Sequence, residues 1–329
     1  MSLQEPRVNP GHILVTGGAG FIGSHLVDAL MAAGHRVTVL DDLSTGRRDN
    51  VAAHAAHPRF RFVEADVAEP LPDLTFDGQA VTGVVHLAAQ VSVVQSMADA
   101  ARDARTNLIG VIRVLDHARA VGARRVVFAS SAAVYGDVPL PAREDAPTLP
   151  VSPYGLHKLT GEHHLRIAAM RGIDALSCRF FNVYGPRQVP GSEYAGVISI
   201  FLQRAASGRP IIIYGDGGQT RDFVYVGDVV RALAAALFAP ERLGGAVVNV
   251  GTGRETSILE LAHAAIAAVG RREGAGADAV PIRHEPARPG DIVRSVAAVD
   301  RIKGLIDWTA SVDLASGLAT TAAWFAAGA

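Results

Sequence analysis

The octapeptide TGGAGFIG, residues 16–23, narrows the possible folds of this chain more than any other stretch. It overlaps the end of the apolar run HILVTG (12–17) and leads into the amphipathic run SHLVDALMAAG (24–34). Gly17, Gly20 and Gly23 therefore stand between a buried strand and a helix. Glycine at such places permits a tight turn and lets backbone amides approach an anion at the helix N-terminus. Alone, a GxxGxxG pattern is common. Its weight comes from Asp41, which closes the next apolar run, RVTVLDD (36–42). An acid about 20 residues after such a turn can accept from both hydroxyls of an adenine ribose. It would repel a 2′-phosphate, so the spacing predicts NAD rather than NADP.

The rhythm continues downstream. FRFVEAD (60–66), GVVHLAA (83–89) and RVVFASS (125–131) read as strands three to five, with a helix around 103–121 before the last. A long helix is expected over 153–171, and ALSCRFFNVYG (175–185) as a sixth strand. Continuous Val/Ile/Leu runs suit strands covered by helices on both faces, hence an α/β, Rossmann-type, doubly wound parallel sheet. Beyond residue 185 proline and glycine rise and the rhythm loosens. We expect a second, smaller mixed α/β substrate domain there, with a helix near 257–269 and a mobile loop at GRREGAGADA (270–279). The expected division is residues 1–181, with returning segments near 222–252, against 182–329.

Lys and Arg number 31 and Asp and Glu 32, a formal net charge of −1, so no global field attracts nucleic acid or an anionic membrane. Any anion must be held locally. The start MSLQEPRVNP lacks a signal-peptide pattern, and VVRALAAALFAP is too short to span a bilayer. A soluble cytoplasmic protein is expected. Cys178, the single cysteine, excludes an internal disulfide and a multi-cysteine metal site, and reads as a small apolar strand residue. His163 and His164 are adjacent on a helix and diverge, with no third ligand at useful spacing, so no metal is expected.

Asp66, after the third strand, is an acceptor for the adenine amino group or a strand-end cap; Asn107 is a cofactor contact or a plain polar helix residue. Phe21 and Ile22 in the turn, Val67, and Leu87, Ala88 and Ala89 complete the expected cofactor contacts. In SPYGLHK, Tyr154 and Lys158 stand four apart and share a helix face. A free phenol titrates near about 10 and is a poor base at neutral pH. A cation within ~4–6 Å favours the phenolate, and a positive nicotinamide adds to it. Ser131 ends strand five at the C-terminal edge, where α/β sheets place their sites. Ser130 faces the opposite way.

VTGGAGFIGSHLV, VVHLAA, SSAAVYG, SPYGLHKLTGE, RFFNVYGPRQ, YGDGGQTRDFVYVGDVV and RPGD follow one another along one chain. From residue 12 to about 300 the sequence resembles the extended short-chain dehydrogenase/reductases, specifically nucleotide-sugar epimerases of the UDP-glucose 4-epimerase type. The resemblance implies that Lys158 also holds the nicotinamide ribose. Ser131 would hydrogen-bond the sugar O4 and relay a proton to the base, Tyr154. Arg221 and Arg288, otherwise surface charges, would bind the diphosphate of a UDP-sugar. Asp291 would hold the uridine ribose, and Asn182 would touch diphosphate and sugar. Ser295, four after Asp291, would gate the sugar pocket with a small side chain, leaving room for an N-acetyl group or a glucuronic acid. Arg179 and Arg187 flank Asn182 and either meet a sugar carboxylate or are structural. A homodimer through helices around 92–119 and 153–171 is also implied.

Dehydratases and decarboxylases of similar sequence carry an acid at one or both of the places held here by Ala132 and Ala133. A methyl group cannot transfer a proton. Oxidation and reduction at C4 remain, which is the chemistry of a 4-epimerase. A silent NAD-binding sensor or scaffold would tend to lose the serine, tyrosine or lysine, and all three are present.

Overall fold

The computed structural model describes residues 11–188, 196–273, 280–287 and 292–327. The elements run β1 (His12–Thr16), α1 (Phe21–Ala32), β2 (Arg36–Asp41), β3 (Phe60–Glu64), β4 (Gly83–His86), α2 (Val93–Ala98), α3 (Ala100–Ala104), α4 (Gly110–Ala120), β5 (Arg125–Ser131), α5 (Pro153–Met170) and β6 (Asp174–Phe180). There follow β7 (Asn182–Tyr184), α6 (Val197–Ala206), β8 (Ile211–Tyr214), β9 (Thr220–Arg221), β10 (Phe223–Tyr225), α7 (Val226–Phe238), β11 (Ala246–Val250), β12 (Thr256–Ser257), α8 (Ile258–Glu273), β13 (Ile282–Glu285), α9 (Asp300–Ile306) and α10 (Leu314–Ala326).

Seven strands form one sheet in the order β11-β6-β5-β4-β1-β2-β3, every pair parallel. The period-two geometry of a strand divides β1 between the two faces. Ile13 and Val15 pack with Leu26 and Leu30 of α1 and Leu233 of α7. Leu14 packs on the other face with Val111 and Val114 of α4 and Leu165 of α5. Both faces are covered, which is why the strands read as unbroken apolar runs. Burying each such side chain contributes about 1.5–3 kcal/mol. A third cluster joins Phe201 and Leu202 of α6, Ile211 and Ile213 of β8, Leu261 and Ala265 of α8, and Leu318 of α10. Three small two-stranded sheets, β7 with β10, β9 with β12 and β8 with β13, accompany it.

The strand order reverses between β1 and β4, and at such a point the loops diverge to open a crevice at the C-terminal edge. Three expected elements differ in detail. The first helix starts at Phe21, not residue 24, because Gly20 already serves as its extended N-cap. The helix around 103–121 is longer, running from Ala100 through a π-helical turn at Arg105–Ile109 into α4. The strand over 175–185 is two strands. Phe181 donates its amide to Val250 O, then Asn182 donates to Asp222 O, so the chain leaves the large sheet for a small one. No helix among the described residues is long and apolar enough to cross a membrane. Most of GRREGAGADA lies outside the described residues.

Candidate active site

The glycine turn is held by contacts that exclude a side chain. Gly17 sits at φ +68°, and a Cβ there would stand 2.6 Å from Ala88 N. A Cβ on Gly23 would collide with Gly17 O. The backbone of Leu87 and Ala88 closes over the turn through Leu87 N to Thr16 O at 3.1 Å and Ala88 N to Thr16 Oγ1 at 3.3 Å; Ala89 follows directly. Gly20 caps α1 without a side-chain hydrogen bond, so the amides of the first turn, Phe21–Ile22–Gly23, begin at the crevice with no side-chain cap. Space that only glycine allows, beside a bare helix start, fits the pyrophosphate of a dinucleotide.

Asp41 ends β2 inside this corner. Its carboxylate accepts from Ala19 N and Leu43 N, both at 2.9 Å. Burial pushes the carboxyl above its ordinary range, against the pull of those two amides. Asp66 caps its strand end, accepting from Ala68 N at 2.8 Å, while its other oxygen lies 3.5 Å from Arg105 Nη2. Val67 is buried against Gly110. Asn107 is buried on the π-helical turn, its amide nitrogen donating to Gln90 O at 2.8 Å and Asp103 Oδ1 at 3.0 Å. Its own carbonyl oxygen is buried with no protein partner among the described residues.

Ser131, Tyr154 and Lys158 come together where β5 ends and α5 begins. Ser131 Oγ accepts from Ala133 N at 3.2 Å and so caps the short turn Ala132–Val134. Ser152 caps α5 by accepting from Gly155 N at 3.2 Å, with Pro153 at the first helical position. A Cβ on Gly155 would collide with Ala133 O, so this glycine lets the helix press against the turn. Tyr154 is thereby brought to Ser131, whose hydrogen bonding draws the phenol pKa down while burial, the larger effect, and the charge of Asp103 push it up. The expected lowering of the phenol is thus not the net result in the protein alone, because burial outweighs the Ser131 hydrogen bond. Lys158 donates to Ala129 O at 2.9 Å and stands 5.8 Å from the centre of the Tyr154 ring. Burial pushes its pKa down to about 8, with Asp103 acting upward.

Two buried polar groups here carry no sequence signal. Asp103, fully buried, accepts from Gln90 Nε2 at 2.7 Å and pairs with His157 Nδ1 at 2.5 Å, beside Lys158 on α5. Behind β5, Ser130 donates to Glu162 at 2.5 Å, and Arg179 grips Glu162 at 2.9 and 2.8 Å while stacking on the Tyr135 ring. Tyr135 donates to Asn249 at 2.6 Å. Arg179 is therefore a structural partner of Glu162, not a free group for a sugar carboxylate. Arg187 pairs with Asp28 of α1 at 2.8 Å.

Asn182 starts β7 and donates its side-chain amide to Asp222 O at 3.3 Å. Arg221, in β9, donates to the carbonyls of Thr220 and Ile292 at 2.8 and 2.6 Å, which brings it to the segment carrying Ser295. Neighbouring Asp222, another residue the sequence reading missed, is buried and gathers the amides of Thr252, Gly253 and Ala297 at 2.7, 2.9 and 3.1 Å. Ser295 is half-buried, two positions before Ala297. Arg288 and Asp291 lie outside the described residues. Among the described residues no group of three or more metal-ligating side chains gathers, those around His163 and His164 included.

Comparison with known proteins places this geometry. Residues 13–251 match the model of the NAD dependent epimerase/dehydratase family. A UDP-glucose 4-epimerase of Mycolicibacterium smegmatis is 44% identical over 322 residues, covering 95% of this chain and 97% of its own. The crystal structure of a UDP-glucose 4-epimerase with UDP-glucose from Thermotoga maritima superposes with a TM-score of 0.86 at 36% identity, covering 96% and 99% of the two chains. That of the Thermus thermophilus UDP-glucose 4-epimerase with NAD gives 0.80 at 37%, covering 97% and 100%. The chain belongs to the NAD dependent epimerase/dehydratase family.

Proposed function

We propose that the protein is an NAD-dependent UDP-sugar 4-epimerase of the UDP-glucose/UDP-galactose type. One observation carries the reading: Ser131, Tyr154 and Lys158 converge at the crevice while Ala132 and Ala133, the places where a second acid would stand, present methyl groups. The named relatives, with UDP-glucose in one structure and NAD in another, support it. Bound along the glycine turn, NAD supplies a hydride acceptor that becomes the donor within the same turnover. Tyr154 takes the C4 hydroxyl proton, directly or through Ser131. Lys158, anchored on Ala129 O, sets a positive charge 5.8 Å from the centre of the Tyr154 ring, where a cation favours the phenolate. With no further acid to act on the 4-keto sugar, the sugar turns and accepts hydrogen on its other face.

Arg221, with Arg288, is assigned to the diphosphate, Asp291 to the uridine ribose and Asn182 to diphosphate and sugar, between the large sheet and the elements after residue 181. The small Ser295 side chain extends the proposed range to UDP-N-acetylhexosamines and UDP-glucuronic acid. We also assign a homodimer. Val94 and Met97 of α2 and Ile167 and Met170 of α5 are exposed apolar side chains on the two implied helices, supporting a covered face in solution. The decisive experiment uses a UDP-sugar deuterated at C4, with no added cofactor. Proton NMR is expected to show the epimer with its label retained. Label lost to solvent, or net loss of water, would overturn the assignment.

A further inference from the structure

We infer that the opposite edge of the large sheet carries a second binding site, for a small phosphate-bearing anion. The starts of β5 and β6 open onto a cavity of about 490 Å³ whose lining includes Arg119, Arg124, Arg125, Arg171, Arg242 and Asp174. Small-molecule sites run roughly from 300 to 1,000 Å³. Five guanidinium groups face one carboxylate there, in a chain of net charge −1.

That carboxylate is fully engaged in the floor. Asp174 Oδ2 accepts from Arg125 Nε at 2.7 Å, and Oδ1 accepts from Leu243 N and Gly244 N at 2.9 and 2.8 Å. Arg125, itself buried, donates onward to the carbonyls of Ala236 and Ala239 at 3.0 and 2.7 Å. The other four arginines are exposed. Arg119 reaches only the exposed Asp116 on its own helix, at 3.2 Å. Arg124 and Arg242 donate to carbonyls at 3.3, 3.4 and 3.5 Å. The Arg171 side chain has no partner among the described residues.

Helix capping is the plain alternative, since α4 and α5 both end here and cations favour helix C-termini. Both helices, however, close on their own backbone. Ala123 N donates to Ala118 O at 2.8 Å and Gly122 N to Arg119 O at 3.3 Å; Ile173 N donates to Ala168 O at 3.2 Å and Gly172 N to Ala169 O at 3.4 Å. Of those carbonyls only Ala169 O also receives a guanidinium, from Arg242 at 3.5 Å. Gly122 and Gly172 hold left-handed conformations with open space where a side chain would stand, so the mouth is unobstructed. Guanidinium forks match phosphate oxygens in bidentate fashion. No aromatic ring lines the cavity, so phosphate groups and not a base are what it recognises. Tyr154 stands at the far end of α5, whose 18 residues span about 27 Å. The two sites do not compete.

The test is calorimetric titration of inorganic pyrophosphate into the NAD-loaded enzyme with UDP saturating the assigned diphosphate site, against Arg171→Ala/Arg242→Ala and, separately, Arg171→Glu. Both substituted positions, 171 and 242, are exposed, and thermal melts verify folding. We expect one saturable site per chain, weakened at least ten-fold in both variants, with sugar turnover within two-fold of the parent. Tripolyphosphate and ADP separate the sources of the anion. Binding of both supports recognition of phosphate alone, whereas binding of ADP only would overturn it. Absence of a saturable site, or equal affinity in the variants, would also overturn it.

Discussion

Ser130 and Ser131 are neighbours on one strand, yet the two faces of β5 treat them oppositely. Ser130 turns inward, where its hydroxyl, Glu162, Arg179, Tyr135 and Asn249 engage one another in a buried chain. Ser131 turns to the crevice, where it caps a three-residue turn and meets a phenol whose pKa burial holds up. Mutual satisfaction makes the inner face rigid and chemically quiet. The outer face is held in place by glycine contacts and helix caps, which leave its reactive groups available for a substrate. The same residue type therefore supports the fold on one side and, on the other, stands where the proposed function assigns proton transfer.

The comparison is broken most severely at the outer face. Tyr154→Phe is expected to lower kcat by about 10²–10⁴-fold with little change in thermal melting, measured with the UDP-sugar that turns over best. At the inner face the expectation reverses. Arg179→Ala leaves Glu162 buried without its cation and is expected to cost about 3–5 kcal/mol in urea unfolding. A loss within ~1 kcal/mol, the range of an exposed pair, would show that the inner chain is not what holds this corner.

The smallest effect tests the link between the faces and the helix behind them. Lys158 sheds its proton as pH rises through about 8, so kcat/KM is expected to fall on that limb. Asp103 opposes the loss by favouring the ammonium. In Asp103→Asn burial acts unopposed, and the limb is expected to move to lower pH. His157→Ala keeps the Asp103 charge and is expected to leave the limb near its original position. Equal pH profiles in wild type and Asp103→Asn would remove Asp103 from this role.

Much of this was legible in the chain. Parallel strands covered on both faces must be apolar throughout, so their positions stand out, and the glycine turn and Tyr154–Lys158 pair lie within short local patterns. Asp103 did not stand out because its partner His157 lies 54 positions on, brought there only by packing. Glu162 and Arg179 likewise meet across a helix and a strand. The break at Phe181 is invisible because an apolar run continues through it. Burial around Tyr154, which reverses the expected direction of its pKa, depends on groups from several elements.

The solitary thiol in β6 has a practical consequence. Cys178 is fully enclosed, and burial pushes its pKa up to about 12. Alkylating agents and peroxide act on exposed thiolates, so this sulfur is shielded from both while the fold is intact. A cysteine introduced at any exposed position becomes the one reactive handle, and spectroscopic labels can be attached there without first removing the native one.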